Sequence, residues 1–308
     1  MGGFFRFARE AYSTEVAEAR LRDLYGDVRL GGLGGYEEAA VGEDRFTIVD
    51  VRLSGDFQVQ ADVDTITVAY STPGYEWRVG REEGRLDREP AVFQPREPMA
   101  SRIGGATLVT TVNFDPGALS ELATAIYGMS MRPWFTAQRP ASAASGRHWM
   151  RLVPLMRDAA VLENDLSRAT AYHALALAAL EGFRLSGDAS ERRHGARTGL
   201  AAYGRACRFI DEHLSLPITI ADIAAAAGVT EGELALAFRG HSPQSWSPAE
   251  HLRRARLAAA HLDIVNGDPT RGDTVQAIAA RWGFPHPGRF AELYRDVYRT
   301  NPRYVLER

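Results

Sequence analysis

The eleven residues TIADIAAAAGV, 219–229, recur in altered form as TVQAIAARWGF, 274–284, near the C-terminus of the 308-residue chain. In each copy a threonine precedes an apolar run with helical spacing, and a glycine follows that run. Threonine is a favoured helix N-cap, and glycine readily adopts the left-handed conformation in which helices end. A second helix is predicted after each glycine, and its buried residues are expected to be Leu234 with Phe238, and Phe290 with Tyr294. The repeat therefore predicts two helix-turn-helix units.

The segment between the two copies predicts one long helix over 247–266, with Pro248 in its first turn. Its predicted apolar side consists of Leu252, Ala255, Leu257 and Leu262. A helix of this length would hold the second helices of the two units a fixed distance apart, so that both could enter successive major grooves of DNA. One such pair of helices would be an ordinary hairpin as readily as a DNA reader, so the inference depends on the repetition.

Residues 1 to about 116 have the pattern of a β domain. Short segments rich in β-branched and aromatic residues, several of them alternating apolar with polar, are separated by Gly, Pro and Asp. The predicted strands are 46–53, 57–63, 65–71, 75–80 and 107–114. Strands of this number and spacing indicate a barrel or a sandwich. A helix is predicted before them, from Tyr12 to Asp23.

Residues 117–183 predict helices beside this β domain. Apolar faces at helical spacing run through 117–129 and, after a loop predicted at 139–146, continue to Phe183. Such helices either pack on their own β domain or form the interface between two protomers. We expect them to contribute to a homodimer.

The segment SGDASERRHGARTG, 186–199, is expected to separate two domains, because Gly, Ser and clustered charge without periodicity are typical of an exposed linker. The expected domains are 1–185, whose barrel occupies about 25–116, and 200–308. The chain is thus predicted to be an α+β protein. It combines an N-terminal β-barrel and a helical dimerisation pair with a C-terminal all-α domain, in which a long helix joins two helix-turn-helix units.

Composition and charge limit the class of protein. No run of eighteen apolar residues occurs, and the N-terminus carries charges too early for a secretory signal, so we expect a cytoplasmic protein without a membrane span. The single cysteine, Cys207, lies in an apolar-periodic run and is expected to be buried. No lysine occurs, and residues 201–308 hold 13 arginines against 12 carboxylates, a net charge of +1. So little positive charge predicts a shallow dependence of DNA affinity on salt.

Three stretches resemble the AraC/XylS family of transcriptional regulators: ITIADIAAAAGVT (218–230), SPAEHLRRARLAAAHL (247–262) and TVQAIAARWGFPHPGRFAELYRDVYRTNP (274–302). The Ala-Arg-Trp-Gly-Phe turn, the Gly-Arg-Phe of the second helix and the closing Asn-Pro are in the family's order. The strand-rich region is similar to the cupin-like effector-binding domain often found upstream in this family. The resemblance implies operator DNA, a small-molecule effector of unknown identity and a second protomer as partners, with RNA polymerase as a further candidate and no cofactor.

In this family the side chains that read DNA flank the buried residues of each second helix. For the second unit this implies that Arg289 donates two hydrogen bonds to guanine, while Glu292 accepts from cytosine or pairs with a neighbouring arginine. The other candidate DNA contacts are His286, Arg295, Arg281 and Arg239, the last of which could equally be an ion-pair partner. The N-caps Thr219 and Thr274 are expected to lie near phosphates.

The first unit is poorly supplied for reading bases. The residues around Leu234 are Gly232, Glu233, Ala235 and Leu236, and only Glu233 among them could hydrogen-bond to a base edge, as an acceptor from cytosine. The loop FRGHSPQSWSP, 238–248, is also about two residues longer than the family's usual spacing. These departures leave a second interpretation open, in which the chain binds DNA weakly and acts as a protein-interaction module.

An enzymatic barrel is disfavoured. Residues 1–147 contain no histidine, which removes the usual imidazole metal ligands, and no phosphate-binding loop or nucleophile motif occurs. We therefore expect neither catalysis nor a bound metal. The side chains that could hold an effector in the barrel are Tyr70, Tyr75, Trp77, Arg78, Gln94 and Arg96, and an inward arginine would suit a carboxylate ligand.

Overall fold

The computed structural model describes residues 4–11, 13–30, 34–128, 132–158, 162–242 and 245–307. The chain divides into two compact units, one made of 1–124 and 129–190 and the other of 125–128 and 191–308. Tyr12, at which the first helix is predicted to begin, lies outside the described residues, and that helix is found at Thr14–Tyr25 (α1). Across the described residues, no helix is both long enough and apolar enough to cross a membrane.

Antiparallel strands form the framework of the first unit. Those of the two main sheets are β1 (Phe5–Ala11), β2 (Gly26–Leu30), β3 (Gly35–Glu43), β4 (Phe46–Ser54), β5 (Phe57–Val63), β6 (Ile66–Ser71), β7 (Tyr75–Val79), β8 (Glu82–Arg85), β9 (Ala91–Phe93), β10 (Met99–Ile103) and β11 (Ala106–Phe114). A small third sheet pairs β12 (Phe135–Pro140) with β13 (Phe183–Leu185). The five strands predicted from the sequence are all confirmed, each within one residue of its predicted ends.

The main strands form two open sheets and not the closed barrel that the sequence predicts. One sheet has the strand order β1-β3-β4-β11-β6-β9 and the other β2-β5-β10-β7-β8. Their apolar faces meet in one core, to which Val51 and Val109 belong on one side and Val59 and Ile103 on the other. The sequence could not separate barrel from sandwich, because alternation records which face of a strand is buried and not which edge strands pair.

Helices α3 (Ala143–Met156) and α4 (Asp165–Gly182) cover the outer face of the six-stranded sheet, and α2 (Pro116–Tyr127) precedes them. The Tyr172 ring of α4 lies 5.9 Å from that of Phe46 and 6.5 Å from that of Phe114. Trp149 of α3 also contacts Phe114 edge to face. The helical pair thus packs on its own sheet, and its role in a dimer stays a prediction.

Two segments predicted as loops are partly helical. In 139–146, helix α3 begins at Ala143, because the hydroxyl of Ser142 accepts a hydrogen bond from Ser145 N at 3.1 Å. In the predicted linker 186–199, a helix runs from Ala189 and passes through the boundary between the two units, and Asp188 Oδ1 accepts from Ser190 N at 2.6 Å at its start. Both starts carry a polar side chain that caps backbone N–H groups, and this signal outweighs the loop-like composition.

The C-terminal part is helical, as the sequence predicts. Its helices are α5 (Ala189–Glu212), α6 (Ile220–Ala227), α7 (Glu231–His241), α8 (Pro248–Asn266), α9 (Val275–Arg281), α10 (Pro287–Tyr298) and α11 (Pro302–Leu306), with a short 3-10 turn at Pro269–Arg271. Helices α6 and α7 form the first helix-turn-helix unit, and α9 and α10 form the second. Helix α8 is the predicted long helix between them.

Each helix-turn-helix unit has a hydrophobic core of its own, and α8 contributes to both. Leu252 belongs to the first core, whereas Leu257, Ala260 and Ile264 belong to the second. At 3.6 residues per turn these two sets lie on different sides of the helix. The single apolar side predicted for α8 is therefore corrected. Leu262 lies on the same side of the helix as Leu252 but beyond the first core, and it is 61% exposed.

We expect the buried ion pair between α4 and β3 to stabilise the first unit. Arg168 Nε lies 2.9 Å from Glu43 Oε2, and each side chain is 9% exposed. Arg168→Leu should lower the free energy of unfolding by about 2–4 kcal/mol, because it leaves the Glu43 carboxylate buried with only Arg45 beside it. The measurement is urea denaturation of the full chain.

The matched control is Arg157→Leu. Arg157 Nη1 lies 3.3 Å from Asp50 Oδ2, and the Arg157 side chain is 43% exposed. Its cost should be about 1 kcal/mol or less. Equal destabilisation by the two substitutions would show that burial does not determine the importance of the Arg168 pair.

Candidate nucleic-acid interface and ligand cavity

The turns of the two helix-turn-helix units have the same backbone hydrogen bonds. Gly228 has a left-handed φ of 66°, its N–H donates to Ala225 O at 3.0 Å, and Val229 N–H donates to Ala224 O at 3.1 Å. In the second copy the corresponding donors are Gly283 (φ 79°) and Phe284, and the acceptors are Ala280 and Ala279. A left-handed residue with this pair of bonds ends a helix sharply. The repeat predicted from the sequence is confirmed in the backbone.

On α7 of the first unit, the one carboxylate expected to reach a base is bound to the start of its own helix. Glu233 Oε2 accepts hydrogen bonds from Thr230 N at 2.8 Å and from Thr230 Oγ1 at 2.9 Å. These hydrogen bonds lower the pKa of Glu233. The carboxylate that could have accepted from cytosine thus completes a capping box, whose Thr-x-x-Glu signal was present in the sequence. The outward side of α7 otherwise presents Gly232, Ala235 and Arg239.

On α10 of the second unit, polar side chains occupy the outward side. Phe290 and Tyr294 are 1% and 0% exposed, and helical periodicity turns Arg289, Glu292 and Arg295 away from them, all three exposed. Within the described part of the chain, neither Arg289 nor Arg295 forms an ion pair. Both guanidinium groups are thus free to donate. His286 is the N-cap residue, is exposed, and makes no capping bond with its side chain.

An aromatic cluster fixes the inward side of α10 against α8. His261 Nδ1 and Tyr294 OH are 2.6 Å apart, and the His261 ring stacks on that of Tyr298 with centroids 4.0 Å apart. Burial raises the pKa of Tyr294 to about 12, so its hydroxyl stays neutral at physiological pH. The rotation of α10, and with it the direction of its outward side chains, is therefore determined by this contact with α8.

The remaining candidate DNA contacts have different surroundings. Arg281 Nη1 donates to Asp263 Oδ2 at 2.8 Å, and Trp282 Nε1 donates to the same oxygen at 2.8 Å, so Arg281 holds α9 to α8 and is not a free cation. Arg239 is exposed on α7. Thr219 and Thr274 are the N-caps that the sequence predicts, accepting from Asp222 N and Ala277 N. The lengthened loop includes residues 243 and 244, which lie outside the described residues.

A cavity of about 80 Å³ lies between the two main sheets of the first unit. Most of its wall is aliphatic or aromatic, and the hydroxyl-bearing residues on it are Tyr25, Thr67, Tyr75 and Thr111. Tyr25 OH and Thr111 Oγ1 are hydrogen-bonded at 2.8 Å, and Thr67 Oγ1 donates to Asn113 Oδ1 at 3.0 Å. Burial raises the pKa of Tyr75 to about 12. Nowhere on the part of the wall that the structure describes is there a charged side chain.

Most of the predicted effector-binding residues lie elsewhere. Tyr70 follows Ala69, which lines the cavity, so strand alternation places Tyr70 on the outer face of its sheet. Arg78 is likewise exposed on the outer face, between the buried Trp77 and Val79. Arg96 is exposed in a loop, where its N–H donates to Asp62 Oδ1 at 3.2 Å. Neither arginine is therefore the inward side chain that would suit a carboxylate ligand.

Two predicted residues are buried but have structural contacts. Gln94 bonds to both backbone groups of Phe135, with Nε2 2.8 Å from its oxygen and Oε1 2.9 Å from its nitrogen, and so ties β9 to β12. Trp77 packs in the core between the sheets, edge to face with Phe93 at 5.8 Å. Of the six candidates, only Tyr75 lines the cavity. The alternation of Tyr75, Trp77 and Val79 with Glu76 and Arg78 could have placed Arg78 outside.

The polar residues of the cavity that the sequence did not single out are Tyr25, Thr67 and Thr111. Tyr25 lies on α1 and Thr111 on β11, 86 residues apart. No local pattern joins residues so distant in the chain, since their contact depends on which strands become neighbours. Sequence reasoning from one chain therefore had no signal for this hydroxyl pair.

Together, α6 to α10 form a domain of two helix-turn-helix units joined by one long helix. The family model described as "Helix-turn-helix domain" matches residues 223–308. The probable thc operon regulatory protein of Rhodococcus erythropolis is 28% identical over 165 residues, which is 51% of this chain and 48% of that protein. The XylDLEGF operon transcriptional activator 3 of Pseudomonas putida is 27% identical over 161 residues, 52% of this chain and 47% of that protein. The match thus spans about half the length of these relatives.

A solved structure from Rhodopseudomonas palustris, described as a probable AraC family transcriptional regulator, is 30% identical, with a TM-score of 0.32. The similarity covers 34% of this chain and 94% of that one. Because it extends over almost all of that regulator, the chain belongs to the AraC family of transcriptional regulators.

The capping role of Glu233 can be tested by pH. Its folded-state pKa is lowered, so its contribution is present above the ordinary carboxyl pKa and is lost as the pH falls through the folded-state value. Glu233→Ala should therefore lower the Tm of the full chain at pH 7, and the difference from wild type should shrink on acidification. Differential scanning calorimetry from pH 7 to pH 3 measures this.

Glu231→Ala is the matched control, because Glu231 lies in the same first turn, is exposed, and has no part in the capping box. It should lower the Tm less at pH 7. If both variants behaved alike, the stabilisation would come from the helix dipole and not from the capping hydrogen bonds.

Proposed function

We propose that this protein is a sequence-specific DNA-binding transcriptional regulator in which the second helix-turn-helix unit carries most of the base readout. The observation that supports this most is the difference between two outward helix sides with the same backbone design. Helix α10 presents Arg289, Glu292 and Arg295, whereas Glu233, the carboxylate next to the buried Leu234 on α7, is bound in its own capping box. Arginine pairs bidentately with guanine, and α7 offers no equivalent group beside its buried leucine.

The first unit then serves mainly to position the protein on DNA. Arg239 on α7 is exposed and suits a phosphate contact, which adds affinity without reading sequence. The names of the relatives, an operon regulatory protein and operon transcriptional activators, support a role at promoters.

The first unit is proposed to bind a small-molecule effector in the cavity between its sheets. The wall of a ligand site is mostly apolar with a few polar groups, and the wall of this cavity has that composition. We further propose a homodimer through α3 and α4, which expose Leu155 (71%) and Leu166 (48%) although they pack on the sheet. A ligand that changes the orientation of these helices would change which operator half-sites two protomers can bridge. RNA polymerase is a further proposed partner.

Arg289→Ala tests the assignment of base readout. The variant should lose about 1–3 kcal/mol of discrimination at one guanine of the operator, because it lacks the bidentate donor. The measurement is fluorescence anisotropy with the full chain and DNA from beside its own gene, in which each base pair is replaced in turn.

The matched control is Arg239→Ala, which removes one exposed arginine from the corresponding helix of the first unit. It should weaken binding to all the DNA sequences by a similar factor and leave discrimination unchanged, and Ala235→Ser should change discrimination little. If either control lost as much discrimination as Arg289→Ala does, the proposed division between the units would be wrong.

A protein-interaction module is the second candidate function. The near-zero charge of residues 201–308 and the uncharged Gly232, Ala235 and Leu236 beside the buried Leu234 of α7 favour it, because weak phosphate attraction and few groups that can hydrogen-bond to bases suit a protein partner better than DNA. Weak, sequence-independent DNA binding by the full chain would support this candidate over the first.

A further inference from the structure

We infer that the cavity between the two sheets binds a small, uncharged and largely apolar molecule that carries one oxygen acceptor, such as a hydroxyl, ether or carbonyl. This inference rests on the proposal that the first unit holds an effector, and it names the chemical class of that effector. It differs from the carboxylate ligand that an inward arginine would suit.

The charges around the cavity exclude an anion. Arg78 and Arg96 are exposed, and no cationic side chain lines the described wall. A buried charge on the same face of the sheet is instead negative: Glu38 pairs in register with Val51, which lines the cavity. A carboxylate ligand would lose its hydration, gain no cation and face Glu38.

A cationic ligand is disfavoured for a different reason. The Glu38 carboxylate already accepts a hydrogen bond from Tyr36 OH, and Arg9 Nη1 lies 4.0 Å from it. Glu38 itself is not on the cavity wall. An ammonium group in the cavity would thus be desolvated beside hydroxyl groups and aliphatic carbons, without a carboxylate in contact.

The hydroxyl pair on the wall accounts for the single acceptor. Tyr25 OH and Thr111 Oγ1 share one hydrogen bond of 2.8 Å, which uses one of their two hydroxyl hydrogens. Asn113 Nδ2 donates a hydrogen bond to Thr111 Oγ1 at 3.3 Å. Because an amide nitrogen is only a donor, it cannot accept the Thr111 hydroxyl hydrogen in return. Among the described residues, one hydroxyl hydrogen of the pair is therefore left without an acceptor, and a neutral oxygen of the ligand would supply it.

The size of the cavity limits the ligand to a short chain or, if the wall repacks, to a single ring. Its volume is about 80 Å³, smaller than the ~150 Å³ of an apolar cavity that holds benzene. Met99 lines it, and the unbranched side chain of methionine can repack to enlarge such a space.

The experiment uses the full chain and four single-ring probes: benzyl alcohol, toluene, benzoate and benzylamine. Isothermal titration calorimetry should show binding of benzyl alcohol at least tenfold tighter than that of benzoate or benzylamine. The double variant Tyr25→Phe with Thr111→Val removes both hydroxyls together, so that neither is left as an unpaired buried group. It should weaken benzyl alcohol about threefold to tenfold and toluene less than twofold, because only the alcohol uses the hydrogen bond.

The control is the double variant Tyr70→Phe with Thr110→Val. It removes two hydroxyls from directly paired residues of β6 and β11 that lie on the opposite face of the same sheet. Both binding constants should stay unchanged. The ligand class is overturned if benzoate or benzylamine binds as tightly as benzyl alcohol, if benzyl alcohol does not bind, or if the inner double variant leaves its affinity intact.

Measuring DNA affinity with and without saturating benzyl alcohol separates this inference from the proposed function. If the alcohol binds in the cavity and shifts DNA affinity, both are supported. Binding that leaves DNA affinity and domain arrangement unchanged would support the ligand class and refute the effector role. Tight benzoate binding that shifts DNA affinity would refute the ligand class and support the effector role.

Discussion

The long helix α8 is the constraint on which the C-terminal architecture depends, because it contributes to two separate hydrophobic cores. Leu252 packs with the first helix-turn-helix unit, and Leu257 and Ile264 pack with the second. These residues span about 18 Å along one rigid helix at 1.5 Å per residue. Since each core fixes one side of α8, the two second helices cannot change their spacing or relative rotation unless one of the cores opens.

This architecture separates the folding of a helix-turn-helix unit from its ability to read DNA. Caps, the left-handed glycine and two buried residues determine the backbone, and both copies retain them. The outward side chains are not needed for any of these contacts. The first unit could therefore keep its fold while α7 presents Gly232 and Ala235, and the second could keep the same fold while α10 presents Arg289. A resemblance in fold alone does not make the two units equal in function.

The parts of the fold that could be predicted from the sequence are those that depend on local chemistry. The N-caps, Gly228, Gly283 and the ends of the five predicted strands follow from neighbouring residues, and the structure confirms them. Sheet closure and the Tyr25–Thr111 pair depend on contacts between distant residues, which one sequence does not reveal. The capping role of Glu233 also had a local signal, the Thr-x-x-Glu of a capping box.

The central proposal is that α8 holds one base-reading unit and one positioning unit at a fixed spacing. Selection of bound DNA from a random pool by the full chain, followed by sequencing and footprinting, tests this most directly. The account predicts one strongly specified block of base pairs, with a protected segment of little base preference about one helical turn, roughly 10 base pairs, away. Two equally specified blocks, or protection at variable spacing, would contradict it.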